Sequence, residues 1–315
     1  MQTMTPTPIL HHYPNSPFSE KIRAIFGYKQ IKWQSVLIPV ILPKPDLVAL
    51  TGGYRRTPVM QIGSDIYCDT ALICEVVESL APSPTLYPTA SENTARILAQ
   101  WADTTLFWTV IAYCFQPDGL AAIFKGAPPE ALQAFMEDRK AFRAGAARMH
   151  PAEATASLKI YLNRLAGILA QGMPYLCGNA LSIADFSVYH CLWYIRRAGA
   201  MAQILDTYAQ LLAWMEKIAA LGHGTSERIS SEQAIVQAHN TPLTHFADSS
   251  TLPADPWTIA LGQQVTVAPS DYGADPVTGT LVICEPNHVA VQRIDRRAGE
   301  VTVHFPRVGF IVKKN

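Results

Sequence analysis

The sequence predicts an α+β protein with three parts: a mixed strand-and-helix domain over residues 1–82, an all-helical domain over 90–243 and a small antiparallel β domain over 255–315. Three observations support this division. A chain of 315 residues is long enough for about two to three domains. A proline-rich stretch over 81–88 separates a strand-forming pattern from a helical one. Apolar and polar residues alternate again only beyond Asp255.

The first domain opens with a strand over residues 9–13 and a helix that begins at Ser16 and Pro17. Proline is favoured at the first helical position, so Ser16 is the predicted N-cap. Apolar residues then recur at helical spacing and give the helix one buried face: Phe18, Ile22, Ile25 and Phe26. A second strand is predicted over 33–38.

A proline-led strand follows at Thr57-Pro58-Val59, then a tight turn, a short strand and a helix that opens at Asp69-Thr70. Proline cannot donate to a sheet ladder, so it stands at the start or edge of a strand. A cis bond before Pro58 would turn the Thr57 backbone outward, with its polar groups unpaired by the sheet. The N-terminus of the next helix offers free amides and a positive dipole end. These features predict a site for a small anionic peptide, and the order of elements is that of a thioredoxin-like domain.

The second domain is predicted to be all-helical. A long helix opens near Ser91 and continues through Cys114, and no strand pattern appears between residues 90 and 240. Further helices are predicted at about 130–148, 151–170, 183–198 and 206–220. Ser182 and Asp185 have the spacing of a capping box, and we assign them a purely structural role.

The C-terminal part shows five short alternating segments separated by Pro, Gly, Asp and Asn turns, over residues 264–267, 279–283, 289–291, 301–305 and 308–312. This pattern fits a small antiparallel barrel of SH3-like size. A unit this small buries only part of its surface. We therefore expect it to dock on the rest of the chain and to help wall a cleft there. The linker to it is predicted over 242–256.

The composition limits the partners and the compartment. The 25 basic and 25 acidic residues balance, so the chain lacks the basic surface that nucleic acids or anionic membranes require. The six cysteines form no CxxC pair and no metal-ligand spacing, and no signal-peptide pattern opens the sequence. The adjacent His11 and His12 would point to opposite faces of a strand. We expect a cytoplasmic protein with reduced cysteines and no metal.

The chain resembles the glutathione S-transferase family. The resemblance rests on four motifs in the family's order: Ser16-Pro17-Phe18, Thr57-Pro58-Val59, Asp69-Thr70 and Ser182-Ile183-Ala184-Asp185. It covers residues 8–240 and implies a glutathione-binding thioredoxin-like domain, an all-α domain and a homodimer between the first domain of one chain and the helical domain of the other. The β part lies outside the family's two-domain plan.

The resemblance also implies roles in thiol activation. Ser16 matches the serine of the serine-type classes, whose hydroxyl donates to the glutathione thiolate, and a plain N-cap role is compatible with that donation. Tyr13 matches the position of the catalytic tyrosine in the tyrosine-type classes, and the alternative is a structural aromatic residue at a strand edge. Ser19, a third hydroxyl in the first helical turn, is predicted to lie on the surface.

The implied glutathione contacts come from three places. Thr57 and Pro58 match the pair that binds the cysteinyl backbone, and Asp69 and Thr70 match the pair that holds the γ-glutamyl end. Asp69 as an ordinary helix cap remains the alternative. Three basic residues are candidates for the glycyl carboxylate, with a solvated surface as the alternative for each: Lys44, Arg55 and Arg56.

In this family the first helix of the second domain lines the pocket for a hydrophobic electrophile. Aromatic residues of that helix are therefore pocket candidates, with core packing as the alternative: Trp101, Phe107, Trp108 and Tyr113. Asp103 is expected to face the cleft. The implied function is a cytoplasmic, detoxifying glutathione transferase or peroxidase. The alternatives are a binding protein on the same scaffold and a glutathione-dependent isomerase or dehalogenase.

Overall fold

The computed structural model describes residues 7–142, 149–243 and 259–314. The first region has the predicted elements and one additional helix, α2. They are β1 (Ile9–His12), α1 (Pro17–Tyr28), β2 (Lys32–Leu37), α2 (Pro45–Thr51), β3 (Val59–Ile62), β4 (Asp65–Cys68) and α3 (Thr70–Leu80). Strand β1 is parallel to β2 and antiparallel to β3, and β3 is antiparallel to β4. The thioredoxin-like prediction is confirmed.

The second region is built around one long helix. Helix α4 (Glu92–Trp101) continues through a π-helical turn (Ala102–Leu106) directly into α5 (Phe107–Cys114), as predicted. The helices that follow are α6 (Pro117–Ile123), α7 (Pro129–Phe142), α8 (Pro151–Leu169), α9 (Ile183–Arg196) and α10 (Ala209–Ala219), with a 3-10 helix (Gly199–Leu205) before α10. The last part of the helix predicted over 130–148 lies outside the described residues.

No single helix of the described residues is long and apolar enough to cross a membrane. The segments Glu92–Cys114 and Pro117–Ile123 meet the length and composition criteria only as a pair, and they are bent by 95°.

The predicted capping box begins α9. The Ser182 backbone N–H and hydroxyl donate to Asp185 Oδ2 at 3.0 and 2.9 Å. The other carboxylate oxygen accepts from the Leu176 backbone N–H at 2.9 Å and from the Trp214 indole N–H at 3.0 Å. The motif therefore starts one helix and anchors a second one, α10, as a structural role requires.

The prediction of no strand between residues 90 and 240 is wrong at one place. Strand β5 (Thr225–Arg228) pairs in parallel with β2 and forms one edge of the sheet, and α11 (Ser231–Asn240) follows it. All four residues of β5 are exposed. Because neither face of this edge strand is buried, its sequence does not alternate between apolar and polar residues.

The C-terminal region has the five predicted strands: β6 (Gln264–Pro269), β7 (Val277–Cys284), β8 (His288–Asp295), β9 (Gly299–Pro306) and β10 (Phe310–Lys314). They pair with one another antiparallel in the order β10-β6-β7-β8-β9. Strand β9 also pairs in parallel with β4, so the sheet of the first region continues into this one and has ten strands. Residues 244–258, where the predicted linker and domain start fall, lie outside the described residues.

The C-terminal region docks through a shared core. One buried cluster joins the first region to the C-terminal strands and includes Tyr54, Ile66, Val303 and Phe305. A second cluster joins α1 and α3 to the helical region and includes Ile22, Phe26 and Phe186. The first region therefore packs on the helical region through one cluster and on the C-terminal strands through the other.

Candidate active site

A cavity of about 480 Å³ lies where the three regions meet. The first region contributes the N-terminus of α1 and the segment before β3. The helical region contributes α5 and α7, and the C-terminal region contributes Tyr272. The expected contribution of the C-terminal part to the cleft wall is therefore confirmed.

Ser16 lies at the N-terminus of α1 and lines this cavity. Its backbone is extended, its side chain is buried, and its Oγ accepts a hydrogen bond from the Ser19 backbone N–H at 3.2 Å. Pro17 occupies the first helical position as predicted. Because Oγ accepts in this bond, the Ser16 hydroxyl proton is left to donate to a group in the cavity. The positive end of a twelve-residue helix is directed at the same point.

Tyr13 also lines the cavity, at the end of β1, and its carbonyl accepts from the Ser16 backbone N–H at 3.2 Å. Both candidate hydroxyl residues are therefore brought together in one place. The prediction for Ser19 is wrong, because its side chain is fully buried and does not line the cavity. Helix α1 packs against α9 and α3, and most of its residues are buried, including those of its first turn.

The bond between Thr57 and Pro58 is cis, and Thr57 lines the cavity. Lys44 lies beside it, with Nζ at 3.3 Å from Thr57 Oγ1 and 3.5 Å from the Arg55 carbonyl. Only 5% of Lys44 is exposed, so the expected alternative of a solvated surface is wrong. Burial, together with the neighbouring Arg139 and Arg55 charges, lowers the pKa of Lys44 to about 8.

Arg55 and Arg56 are not solvated either, since their side chains are 9% and 12% exposed. Arg55 pairs with Asp138 on α7 at 2.6 Å. Arg56 pairs with the Asp271 carboxylate, and its Nε donates to the Tyr272 carbonyl at 3.0 Å. Both residues line the cavity, but their hydrogen bonds go to other regions of the chain. These carboxylate partners are distant in sequence, so no local pattern predicts them.

Asp69 and Thr70 begin α3 but are not among the residues that line this cavity. Asp69 Oδ1 accepts from the Ala71 backbone N–H at 2.9 Å, which is the geometry of a helix cap. Its φ is +73°, a left-handed conformation that Asp tolerates better than most residues. Thr70 is buried, and its Oγ1 lies 3.4 Å from Lys21 Nζ.

Asp103 was expected to face the cleft. Instead it belongs to a buried polar cluster and is not among the residues that line the cavity. Its carboxylate accepts from Lys21 Nζ at 2.6 Å, from the Ser187 hydroxyl at 3.3 Å and bonds to His190 Nε2 at 2.9 Å. Burial opposes ionisation of Asp103, but the Lys21 charge and the His190 hydrogen bond hold its pKa below the usual range. This cluster joins α1, the π-helical turn and α9. Sequence reasoning missed it, because Lys21 sits in an otherwise ordinary amphipathic helix.

The aromatic residues of the long helix divide into two groups. Phe107 and Trp108 line the cavity, as the resemblance implies. Trp101 packs edge-on against Tyr161 at 5.2 Å, and the Tyr113 hydroxyl donates to the Met201 carbonyl at 2.8 Å, so these two residues belong to the core. The cavity wall also includes aromatic residues that the sequence did not single out: Phe115, Phe135, Phe142, Tyr194 and Tyr272.

The histidines of β1 point to opposite faces of the sheet, as predicted. His11 Nε2 pairs with Gln61 Oε1 at 2.9 Å, and Gln61 in turn donates to the Ala234 carbonyl on α11. His12 Nδ1 lies 3.1 Å from the Arg23 guanidinium on α1. Within the described residues, no group of three or more His, Cys, Asp or Glu side chains is arranged to hold a metal ion.

Comparison with known families and structures places this geometry in context. The family profile described as "Glutathione S-transferase, N-terminal domain" matches residues 10–85, and that of the "Glutathione S-transferase, C-terminal domain" matches residues 131–223. A search among curated proteins gives no match.

Among solved structures, a GST-like protein from Pseudomonas syringae is 38% identical, with a TM-score of 0.81 over 98% of this chain and 100% of its own. A glutathione S-transferase from Rhodospirillum rubrum F11 is 18% identical, with a TM-score of 0.52 over 68% of this chain and 88% of its own. The beta-etherase LigF from Sphingobium sp. strain SYK-6 is 19% identical, with a TM-score of 0.52 over 68% of this chain and 95% of its own. The last two similarities are evidence for the fold alone.

Proposed function

The chain belongs to the glutathione S-transferase family, and from this we propose that it is a glutathione transferase or peroxidase whose thiol-activating residue is Ser16. The observation that carries the proposal is the position of Ser16. A buried serine hydroxyl at a helix N-terminus lines the same cavity as Thr57, which precedes a cis-proline. This is a pre-formed site for a small peptide that carries negative charge.

In this proposal glutathione supplies the sulfur nucleophile. A free thiol has a pKa near 8.5 and is mostly protonated at neutral pH, whereas the thiolate is the reactive form. The Ser16 hydroxyl donates a hydrogen bond to the thiolate, and the dipole of α1 favours its negative charge. Together they are expected to lower the thiol pKa by about one to two units, at about 1.4 kcal/mol per unit. Tyr13 lines the same cavity and is the alternative donor.

We assign the remaining glutathione contacts to residues around the start of β3 and at the start of α3. The outward Thr57 backbone before cis-Pro58 binds the cysteinyl part. Lys44, whose Nζ lies 3.3 Å from Thr57 Oγ1, attracts the glycyl carboxylate, and Arg56 adds positive potential nearby. Asp69 and Thr70 bind the γ-glutamyl end at the N-terminus of α3. Cap and ligand roles are compatible for Asp69, because a carboxylate has two oxygens and Ala71 occupies one of them.

The second substrate is a hydrophobic electrophile or a peroxide. The support comes from the cavity wall beyond Ser16, where Phe107, Trp108 and Phe142 present apolar surface. Burial of apolar area is the main favourable contribution that such a wall makes to binding. We assign no nucleic acid, membrane or metal partner.

We also propose a cytoplasmic location and a homodimer. All six cysteines lie within the described residues and none of them forms a disulfide bond, which supports a reducing compartment. The dimer is the arrangement that is typical of the family. A mass of one chain by light scattering at micromolar concentration would contradict the dimer.

The test of the proposed function has two steps. Calorimetry with glutathione establishes binding, and an assay with a chromogenic electrophile in the presence of glutathione establishes turnover. Binding with turnover supports the enzyme. Binding without turnover of any electrophile, peroxide, halide or isomerisable substrate supports a binding protein on the same scaffold. Absence of glutathione binding contradicts the proposal.

A further inference from the structure

The C-terminal region reaches the cavity through Tyr272, in the turn between β6 and β7. The Tyr272 ring contacts both of the other regions. The Arg56 guanidinium lies 3.8 Å from the ring centre on the side of the first region. Trp108 packs edge-on at 4.8 Å and 88°, and Phe142 at 5.1 Å and 67°, on the side of the helical region.

The position of this ring is fixed by its backbone. The Tyr272 carbonyl accepts from Arg56 Nε at 3.0 Å, and the neighbouring Asp271 carboxylate pairs with the same arginine. On the other side, the Gly273 N–H donates to the Phe142 carbonyl at 2.8 Å. Gly273 has a φ of +54°, and a Cβ there would lie 2.5 Å from the Phe142 ring. The turn is therefore held on both sides and seated closely against α7.

Tyr272 completes a continuous aromatic surface. Phe107 packs against Trp108 at 5.2 Å and 65°, Trp108 packs against Tyr272, and Tyr272 packs against Phe142. An aromatic ligand gains edge and face contacts with such rings beyond the area that it buries, whereas an aliphatic ligand of similar size gains only the buried area. A fixed ring at the centre of this surface favours planar ligands over flexible ones.

We propose that Tyr272 is a specificity-determining residue that gives the cavity a preference for co-substrates carrying a planar aromatic group. This inference rests on the proposed function, because it assumes that glutathione occupies the part of the cavity near Ser16. It assigns to the C-terminal strands a direct part in substrate selection.

The test compares two ligands that differ only in the group on sulfur, S-benzylglutathione and S-propylglutathione, by calorimetry. The ratio of their dissociation constants cancels the glutathione contribution. The wild type is expected to prefer the benzyl ligand, and Tyr272→Leu is expected to reduce this preference by about 3- to 10-fold. Tyr272→Phe keeps the ring and is expected to keep the preference. A general loosening of the fold would weaken the binding of both ligands alike and leave the ratio of their dissociation constants unchanged.

The outcomes separate the two proposals. If the wild type binds neither ligand, the glutathione site itself is wrong. If both ligands bind and Tyr272→Leu leaves their ratio unchanged, the role of Tyr272 is overturned while the glutathione site stands. Should the leucine variant fail to fold, photolabelling of the wild type with S-(4-benzoylbenzyl)glutathione decides the question. Label on the peptide that contains Tyr272 supports the proposal, and label confined to other peptides overturns it.

Discussion

Arg56 and Tyr272 are 216 positions apart in the sequence, yet the Arg56 guanidinium lies 3.8 Å from the centre of the Tyr272 ring. Arg56 directly precedes Thr57 and cis-Pro58. The pair therefore links the segment before β3, which we assign to glutathione binding, with the C-terminal region. One cavity is built by all three regions, and the C-terminal region is part of its wall.

Replacing the proposed thiol activator tests its role in turnover. Ser16→Ala is expected to lower kcat by about 10- to 1,000-fold with a far smaller change in glutathione affinity, because a donor to the reacting sulfur is removed. Steady-state kinetics and calorimetry measure the two effects. The lost cap costs about 1 kcal/mol of stability, so thermal unfolding must show that the variant is folded. Tyr13→Phe is the matched control and is expected to be mild. If it is the more damaging change, the activator is Tyr13.

A substitution at Asp69 can separate its role as a helix cap from its proposed role as a glutathione ligand. Asparagine can keep the cap bond to the Ala71 N–H and also tolerates the positive φ of this position, but it removes the charge. Asp69→Asn combined with Thr70→Ala is therefore expected to weaken glutathione binding by about 1.5 to 3 kcal/mol. Asp69→Ala should in addition lower thermal stability. Unchanged affinity in both variants would mean that Asp69 is only a helix cap.

The lowered pKa of Lys44 leads us to predict that ligand binding depends on pH. Its pKa is lowered to about 8, so the ammonium is charged below that pH and neutral above it. If Lys44 binds the glycyl carboxylate, affinity for S-methylglutathione is expected to fall as the pH rises from about 7 to about 9. The blocked sulfur removes the titration of the thiol from this measurement. Lys44→Met should bind more weakly at pH 7 and lose this part of the pH dependence. The same pH profile in both proteins would exclude Lys44 from the site.

Phe305 tests whether the C-terminal strands share a core with the first region. It is fully buried, and its ring lies 6.0 Å from Tyr54. Phe305→Ala is expected to cost about 3 to 5 kcal/mol and to lower the midpoint of unfolding of both regions together. Ile294→Ala on β8, where the residue is 74% exposed, is the control and should change stability by less than about 0.5 kcal/mol. A separate transition for the C-terminal strands alone would show that they form an independent unit.

The parts of the fold that local chemistry determines were predictable. The N-cap at Ser16 with Pro17 and the capping box from Ser182 to Asp185 each need only a few neighbouring residues, and each is confirmed. The order of elements in the first region followed from the same signals.

The parts that depend on contacts distant in sequence were not predictable. A solvated surface was the alternative for Arg56 because its partners at 271–272 lie far along the chain. Ser19 was expected at the surface because nothing local indicates that it is buried. Strand β9 alternates like any buried strand, so its pairing with β4 left no signal. The roles of Ser16, Thr57 and Asp69 toward glutathione stay predictions.

The most direct test of the central claim is the ionisation of bound glutathione, followed by the ultraviolet absorbance of the thiolate as a function of pH. With Ser16 and the α1 N-terminus acting on the sulfur, the bound thiol is expected to titrate about one to two pKa units below the free value of about 8.5. In Ser16→Ala most of this shift should disappear. A bound thiol that titrates at its free value in the wild type, or an equal shift in the wild type and Ser16→Ala, would contradict the assignment of Ser16 as the residue that activates glutathione.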